Sequence, residues 1–218
     1  MNREALAEFL GALLLTAAVV GSGIMGERLA GGNFAVALLA NTAASIAVLA
    51  VLIALFGPVS GAHFNPAITL VAFAGKKIGA PCAVAYVVAQ VAGCCAGAAL
   101  ANAMFELPLV QLSTHVRTGS AQWLAEFVAT AGLVLIAVTS PSIKETAWRV
   151  PAWIAGAYWF TASTSFANPA ITIGRSLSDS FAGVRPDDVP GFILAQLAGA
   201  SAGALMSRVF SRSSERAT

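Results

Sequence analysis

Charge is what this chain has least of. Only 10% of its 218 residues are Asp, Glu, Lys or Arg, against 58% hydrophobic residues, and the mean hydropathy is +0.80. That shortage excludes an ordinary soluble domain and points to a chain embedded in a lipid bilayer. The formal net charge is +2 and the basic residues are scattered, which leaves no patch for nucleic acid. Cysteine is scarce as well. Cys82, Cys94 and Cys95 are odd in number, lie in or beside apolar segments, and have no His or Cys partner at ligand spacing. They are expected to pack as small apolar residues, with no metal and no cofactor bound. No nucleophile and base pair is visible, so an enzyme is not expected.

What the chain has in plenty is uncharged sequence. Six runs approach the ~20 apolar residues needed to cross the hydrocarbon core as a helix: 6–25, 34–56, 82–105, 121–140, 147–165 and 190–207. Two further pieces, 66–74 and 169–177, are too short to cross. A cleaved leader is not expected, because the first run is long and carries Glu8. With both termini on the cytoplasmic side, that side holds Arg3, Lys76, Lys77, Lys144, Arg149, Arg208, Arg212 and Arg216. The opposite side keeps Arg28, Arg117, Arg175 and Arg185, so the positive-inside rule favours this orientation.

Each short piece begins with Asn-Pro-Ala: Asn65, Pro66 and Ala67 in the first copy, Asn168, Pro169 and Ala170 in the second. Asn is a favoured N-cap and Pro suits the first helical turn, so each reads as a helix start. A lone Asn-Pro is usually a kink or a loop. Two copies inside a shared block are not. AEFLGALLLTAAV (7–19) matches AEFVATAGLVLIAV (125–138), FNPAITL matches ANPAITI, and AQVAGCCAGAAL (89–100) matches AQLAGASAGALM (195–206). Three blocks recur in order, giving repeats at about 1–110 and 118–212 within a single domain, 1–218. Each repeat holds three spans and a half-helix, and an odd number of spans inverts the second copy. The fold expected is an all-α membrane protein with six transmembrane helices and two re-entrant half-helices.

Two helix starts meeting near the midplane carry partial positive charge, roughly +0.5 each, and so disfavour cations and protons. The amides of Asn65 and Asn168 are donors for a passing hydroxyl. The non-helical stretches leading in, 57–64 and 163–167, belong at membrane depth only if they line a watery cavity. Glu8 and Glu126 occupy equivalent positions in the two repeats. They are expected to accept from unpaired N–H groups of the two re-entrant loops; the competing reading is a proton-coupling acid. Gln90 and Gln196 are expected to serve as interhelical hydrogen-bonders. Gly93 with Gly97, and Gly199 with Gly203, are matched GxxxG pairs, so spans three and six are expected to cross there. His63 is either a structural loop residue or a wall of the vestibule.

These features together resemble the aquaporin and aquaglyceroporin family, the major intrinsic proteins. The resemblance rests on both NPA boxes, the AEF blocks, GAHFNPA and the GxxxG blocks. It implies a homotetramer in a bacterial inner membrane, with one pore per subunit for water or small neutral solutes. Most members carry an arginine directly after the second NPA, where this chain has Ile171. Gapless offsets from the two asparagines place the other filter positions at Ser45, Gly156 and Ser165. Ser and Gly in place of bulkier side chains imply a wide filter. Arg175, four residues beyond Ile171, either reaches back to the pore mouth or pairs with Asp179, its i+4 neighbour, and the pairing is the slightly favoured expectation. The segment NPAITIGRSLSDSFAGV resembles the arsenic-resistance branch of the family, which implies glycerol-like solutes and arsenite as cargo. A water-selective pore with Arg175 in the filter, and a secondary transporter built on inverted repeats, are the alternatives.

Overall fold

A computed structural model describes residues 2–214; Met1 and residues 215–218, Arg216 among them, lie outside the described residues, as does the side chain of Arg212. Within the described residues eight α-helices follow one another: α1 (Arg3–Leu29), α2 (Phe34–Ser60), α3 (Pro66–Ala74), α4 (Ala80–Met104), α5 (Ser120–Thr139), α6 (Ile143–Phe160), α7 (Pro169–Arg175) and α8 (Val189–Ser214). Among the described residues, α1, α2, α4, α5 and Pro186–Phe210 are long and apolar enough to cross a membrane. The helix α6, in the place of the expected fifth span, has 18 residues but carries Lys144, Glu145 and Arg149 near its start. There Glu145 and Arg149 form an i,i+4 ion pair at 2.9 Å.

Capping chemistry sets where these helices begin. The side chain of Asn2 accepts from Ala5 N, that of Asn33 from Ala35 N and Val36 N, and that of Ser142 from Glu145 N. Each satisfies main-chain donors that the first turn leaves without a partner. Two expected boundaries move. Residues 57–60 are helical, because α2 continues through Pro58 to a left-handed cap at Gly61, φ +87°. Span five ends at Phe160, with Thr161 as its extended cap and a turn following, short of the expected 165.

The glycine pairs set the packing. Spans three and six do not cross each other: α4 crosses α1, and α8 crosses α5. A Cβ at Gly93 or Gly97 would collide with the carbonyl oxygens of Phe9 or Leu13, and one at Gly199 or Gly203 with those of Phe127 or Ala131. Backbones that close need glycine on at least one side. The two crossings are copies of one arrangement, one in each repeat, and they bring Gln90 and Gln196 opposite Glu8 and Glu126.

Candidate functional site

The helices α3 and α7 start face to face in the interior. The Asn65 side chain caps α3 by accepting from Ala67 N at 2.9 Å, and its Nδ2 donates to Ala167 O at 2.8 Å. Asn168 mirrors it, accepting from Ala170 N at 3.0 Å and donating to Phe64 O at 2.8 Å. Each asparagine therefore holds the backbone preceding the other. An amide NH2 has two donors, and the second on each remains for whatever passes.

The approach to each start is strained. Ala62 and Phe64 in the first loop, and Thr164, Ser165 and Ala167 in the second, all have φ between +48° and +62°. A left-handed conformation costs an L-residue roughly 1–2 kcal/mol. Two buried carboxylates offset that cost. Glu8 accepts from Ser60 Oγ (2.6 Å), His63 N (2.9 Å), Phe64 N (2.6 Å) and Gln90 Nε2 (2.7 Å). Glu126 accepts from Phe166 N (2.8 Å), Ala167 N (2.8 Å) and Gln196 Nε2 (2.6 Å). Gln90 and Gln196 also donate to Thr69 and Thr172, both at 2.9 Å. With the loop N–H groups turned toward the carboxylates, the carbonyls of Gly61 to His63 and Thr164 to Phe166 keep no partner in the described chain. All of these residues except Thr164 line the cavity.

That cavity has a volume of about 1300 Å³. It passes Lys77, Ser142 and Arg208 at one end, then His63, Asn65 and Asn168, then Ser45, Tyr158, Ser165, Phe166, Ile171 and Arg175. His63 satisfies both of its readings: it lines the cavity, and it is held by Thr69 Oγ1 at 3.1 Å and by the edge of Tyr86. Ser45, Ser165 and Ile171 lie on the wall where the offsets put them. Gly156 does not. It is exposed, and the nearest atoms to a Cβ there belong to Phe160. Two residues along a helix rotate a side chain by about 200°, so the face of α6 turned to the cavity carries Ile154 and Tyr158 instead.

Arg175 also departs from the favoured expectation. Asp179 is taken by Thr114, whose N and Oγ1 both donate to it. Arg175 is 2% exposed and lines the cavity; its guanidinium lies 3.3 Å from the centre of the Phe166 ring and its Nε donates to Ala182 O. Its two terminal nitrogens have no partner among the described residues. Neither do the buried hydroxyls of Ser45 and Ser165. Three polar side chains at one end of the cavity thus hold unused hydrogen-bonding capacity.

Sequence reasoning missed Tyr158, Phe166 and Arg117. Arg117 comes from the loop between the repeats, is buried, and donates to the carbonyls of Gly183, Ser163 and Phe181. Burial pushes its guanidinium down to about 10, so it stays charged at neutral pH. Only its position in the linking loop was legible, and nothing in the spacing ties residue 117 to residues 163–183.

The family profile described as major intrinsic protein matches residues 1–148. Among curated relatives, the aquaglyceroporin AqpS of Rhizobium meliloti (strain 1021) is 53% identical over 203 residues, covering 92% of this chain and 86% of its own. Aquaporin-5 of Ovis aries is 40% identical over 96 residues, 41% of this chain and 36% of that protein. The X-ray structure of the aquaglyceroporin from Plasmodium falciparum shares the fold, with a TM-score of 0.74 at 18% identity, covering 95% of this chain and 94% of that one. Profile, near full-length relative and fold agree: the chain belongs to the major intrinsic protein family.

Proposed function

We propose that the protein is a passive channel for small uncharged solutes, with glycerol-like polyols and arsenite as cargo and some water passing too. The observation that carries this reading is a continuous cavity running from the Lys77 end past both asparagine caps to Ser45, Ser165 and Arg175. A solute losing its water there meets the free amide donors of Asn65 and Asn168, two rows of loop carbonyls and the unpaired groups of Ser45, Ser165 and Arg175. Cations are opposed by two helix starts and by Arg175 and Arg117, neither of which touches a carboxylate with its side chain. The name of the AqpS relative points to the same solute class.

Filter composition supports a solute larger than water. Ser45 and Ile171 leave room, while Arg175 supplies donors against the apolar faces of Phe166 and Tyr158. A polyol fits such a wall, hydroxyls on one side and carbon on the other. The placement of Arg175 also supports a narrower, water-selective pore, and the same measurement separates the two. In the cell, the reading places the protein in a bacterial inner membrane as a homotetramer, both termini cytoplasmic.

Stopped-flow light scattering on proteoliposomes, comparing water, glycerol and arsenite, tests it. Glycerol and arsenite flux well above empty vesicles, and indifferent to ion gradients, is expected. Water-only conduction overturns the solute reading, and flux that needs an ion gradient overturns the channel in favour of a transporter.

A further inference from the structure

We propose that Arg117, which does not line the cavity, is a positioning residue that sets solute selectivity at the Arg175 end by holding Phe166 in place under the Arg175 guanidinium. The inference rests on the channel reading above. Three donors on one planar fork reach three carbonyls on two separate segments: Nη1 to Ser163 (3.3 Å) at the head of the second re-entrant loop, Nε to Gly183 (2.8 Å) and Nη2 to Phe181 (3.2 Å) beyond α7. Its carbon Cζ lies 5.2 Å from the Phe166 ring centre, the same ring that Arg175 stacks on at 3.3 Å. One phenyl ring therefore links a clamp outside the cavity to the guanidinium inside it, whose terminal nitrogens have no partner among the described residues.

The clamp is itself braced. Arg117 N donates to Asp188 Oδ2 at 2.9 Å, and Asp188 Oδ1 accepts from Arg185 Nη2 at 3.0 Å. The linking loop runs beside the segment after α7 through Gln111 N to Leu177 O, Ser113 N to Ser176 O and Arg185 N to His115 O. Glu27 of α1 accepts from Phe181 N at 3.2 Å. Burying a guanidinium with no carboxylate against its nitrogens is costly, and an apolar side chain of similar volume fills the same space more cheaply. What the fork adds is direction. It fixes the carbonyl of Ser163 and the turn that follows, in which Ser165 holds φ +54° and points an unpaired hydroxyl from the cavity wall. A lysine has the charge but not the three-way planar geometry.

The test uses the full-length protein in proteoliposomes and reads the ratio of glycerol to water permeability, with thermal unfolding followed in parallel. Arg117→Met and Arg117→Lys are both expected to shift the ratio by about fivefold or more, within the range of coupling between residues in one network. In an Arg175→Leu background, adding Arg117→Met is expected to shift it by less than about twofold, because the group being positioned is gone. Phe166→Leu, which removes the ring and spares the clamp, is expected to reproduce the shift and serves as the readout if Arg117→Met does not fold. Unmoved ratios in folded variants, or equal shifts in both backgrounds, overturn the proposal while leaving the channel intact. Wild-type vesicles no more permeable than empty ones overturn the channel reading, and this proposal with it.

Discussion

Replacing Glu126 by glutamine is the sharpest test of how the second re-entrant loop is held. The substitution preserves shape and removes one of two acceptor oxygens. Glu126 is wholly buried, and its oxygens take Phe166 N, Ala167 N and Gln196 Nε2 at 2.6 to 2.8 Å. In Glu126→Gln at least one main-chain N–H faces an NH2 group. A hydrogen bond to a charged acceptor contributes about 1.5–3 kcal/mol, and a buried donor left unpaired costs about 1–3 kcal/mol more. Relief from burying a charge offsets part of this, leaving about 2–4 kcal/mol. Since 1.4 kcal/mol is a factor of ten, the unfolded fraction rises by roughly thirtyfold or more. Thermal unfolding in detergent measures that change, and proteoliposome flux should fall for water and glycerol alike. Glu8→Gln, with four donors around the carboxylate, should be at least as damaging. Wild-type unfolding and full flux in both variants would refute the structural role. Unchanged stability with loss of only an ion-driven component would make Glu126 a coupling acid instead.

Other positions give independent checks. Ile171→Arg adds bulk and a second guanidinium one turn from Arg175, so glycerol and arsenite flux should drop at least about tenfold while water flux drops much less; an equal drop for every solute sinks the size argument. Gly156→Ala should leave flux unchanged, since its Cβ meets only Phe160 at 3.9 Å, whereas Gly199→Ala drives a Cβ into Phe127 O and should cost about 1–3 kcal/mol by chemical or thermal unfolding. His115 is exposed, yet partial desolvation and then the positive charges of Arg117 and Arg175 should hold it below its ordinary value, with Glu27 and Asp179 opposing them. Removing a positive neighbour in Arg117→Met should move its NMR midpoint upward, and a downward move contradicts the arrangement.

Much of the site was legible because its parts are local. The asparagine caps, the proline at the first helical position and the repeat spacing of Glu8, Gln90, Glu126 and Gln196 need only sequence neighbours and copy number to be seen. The glycine pairs were read correctly as close crossings, but their partners were not, since GxxxG says that a helix approaches something and not what. Filter positions fared unevenly. Ser45 lines the cavity, as do Ser165 and Ile171, which sit within three residues of Asn168. Gly156 lies twelve residues away, across the end of α6, where an error of two residues turns a side chain to the opposite face.

By itself, then, the sequence determined that this chain lies in a membrane, that its sequence blocks recur in two copies, and that two half-helices start in its interior. Scarce charge, uncharged runs and repeated caps are properties of short segments. Tertiary structure alone decided which side chains finish the cavity. Tyr158 is there because of the rotation of α6. Arg175 turns inward onto Phe166 and Ala182, while Asp179 is taken by Thr114, sixty-five residues before it in sequence. Arg117 reaches Ser163 and Gly183 because the linking loop folds over the second repeat. Contacts at such separations depend on how whole helices are placed, and no local pattern encodes them.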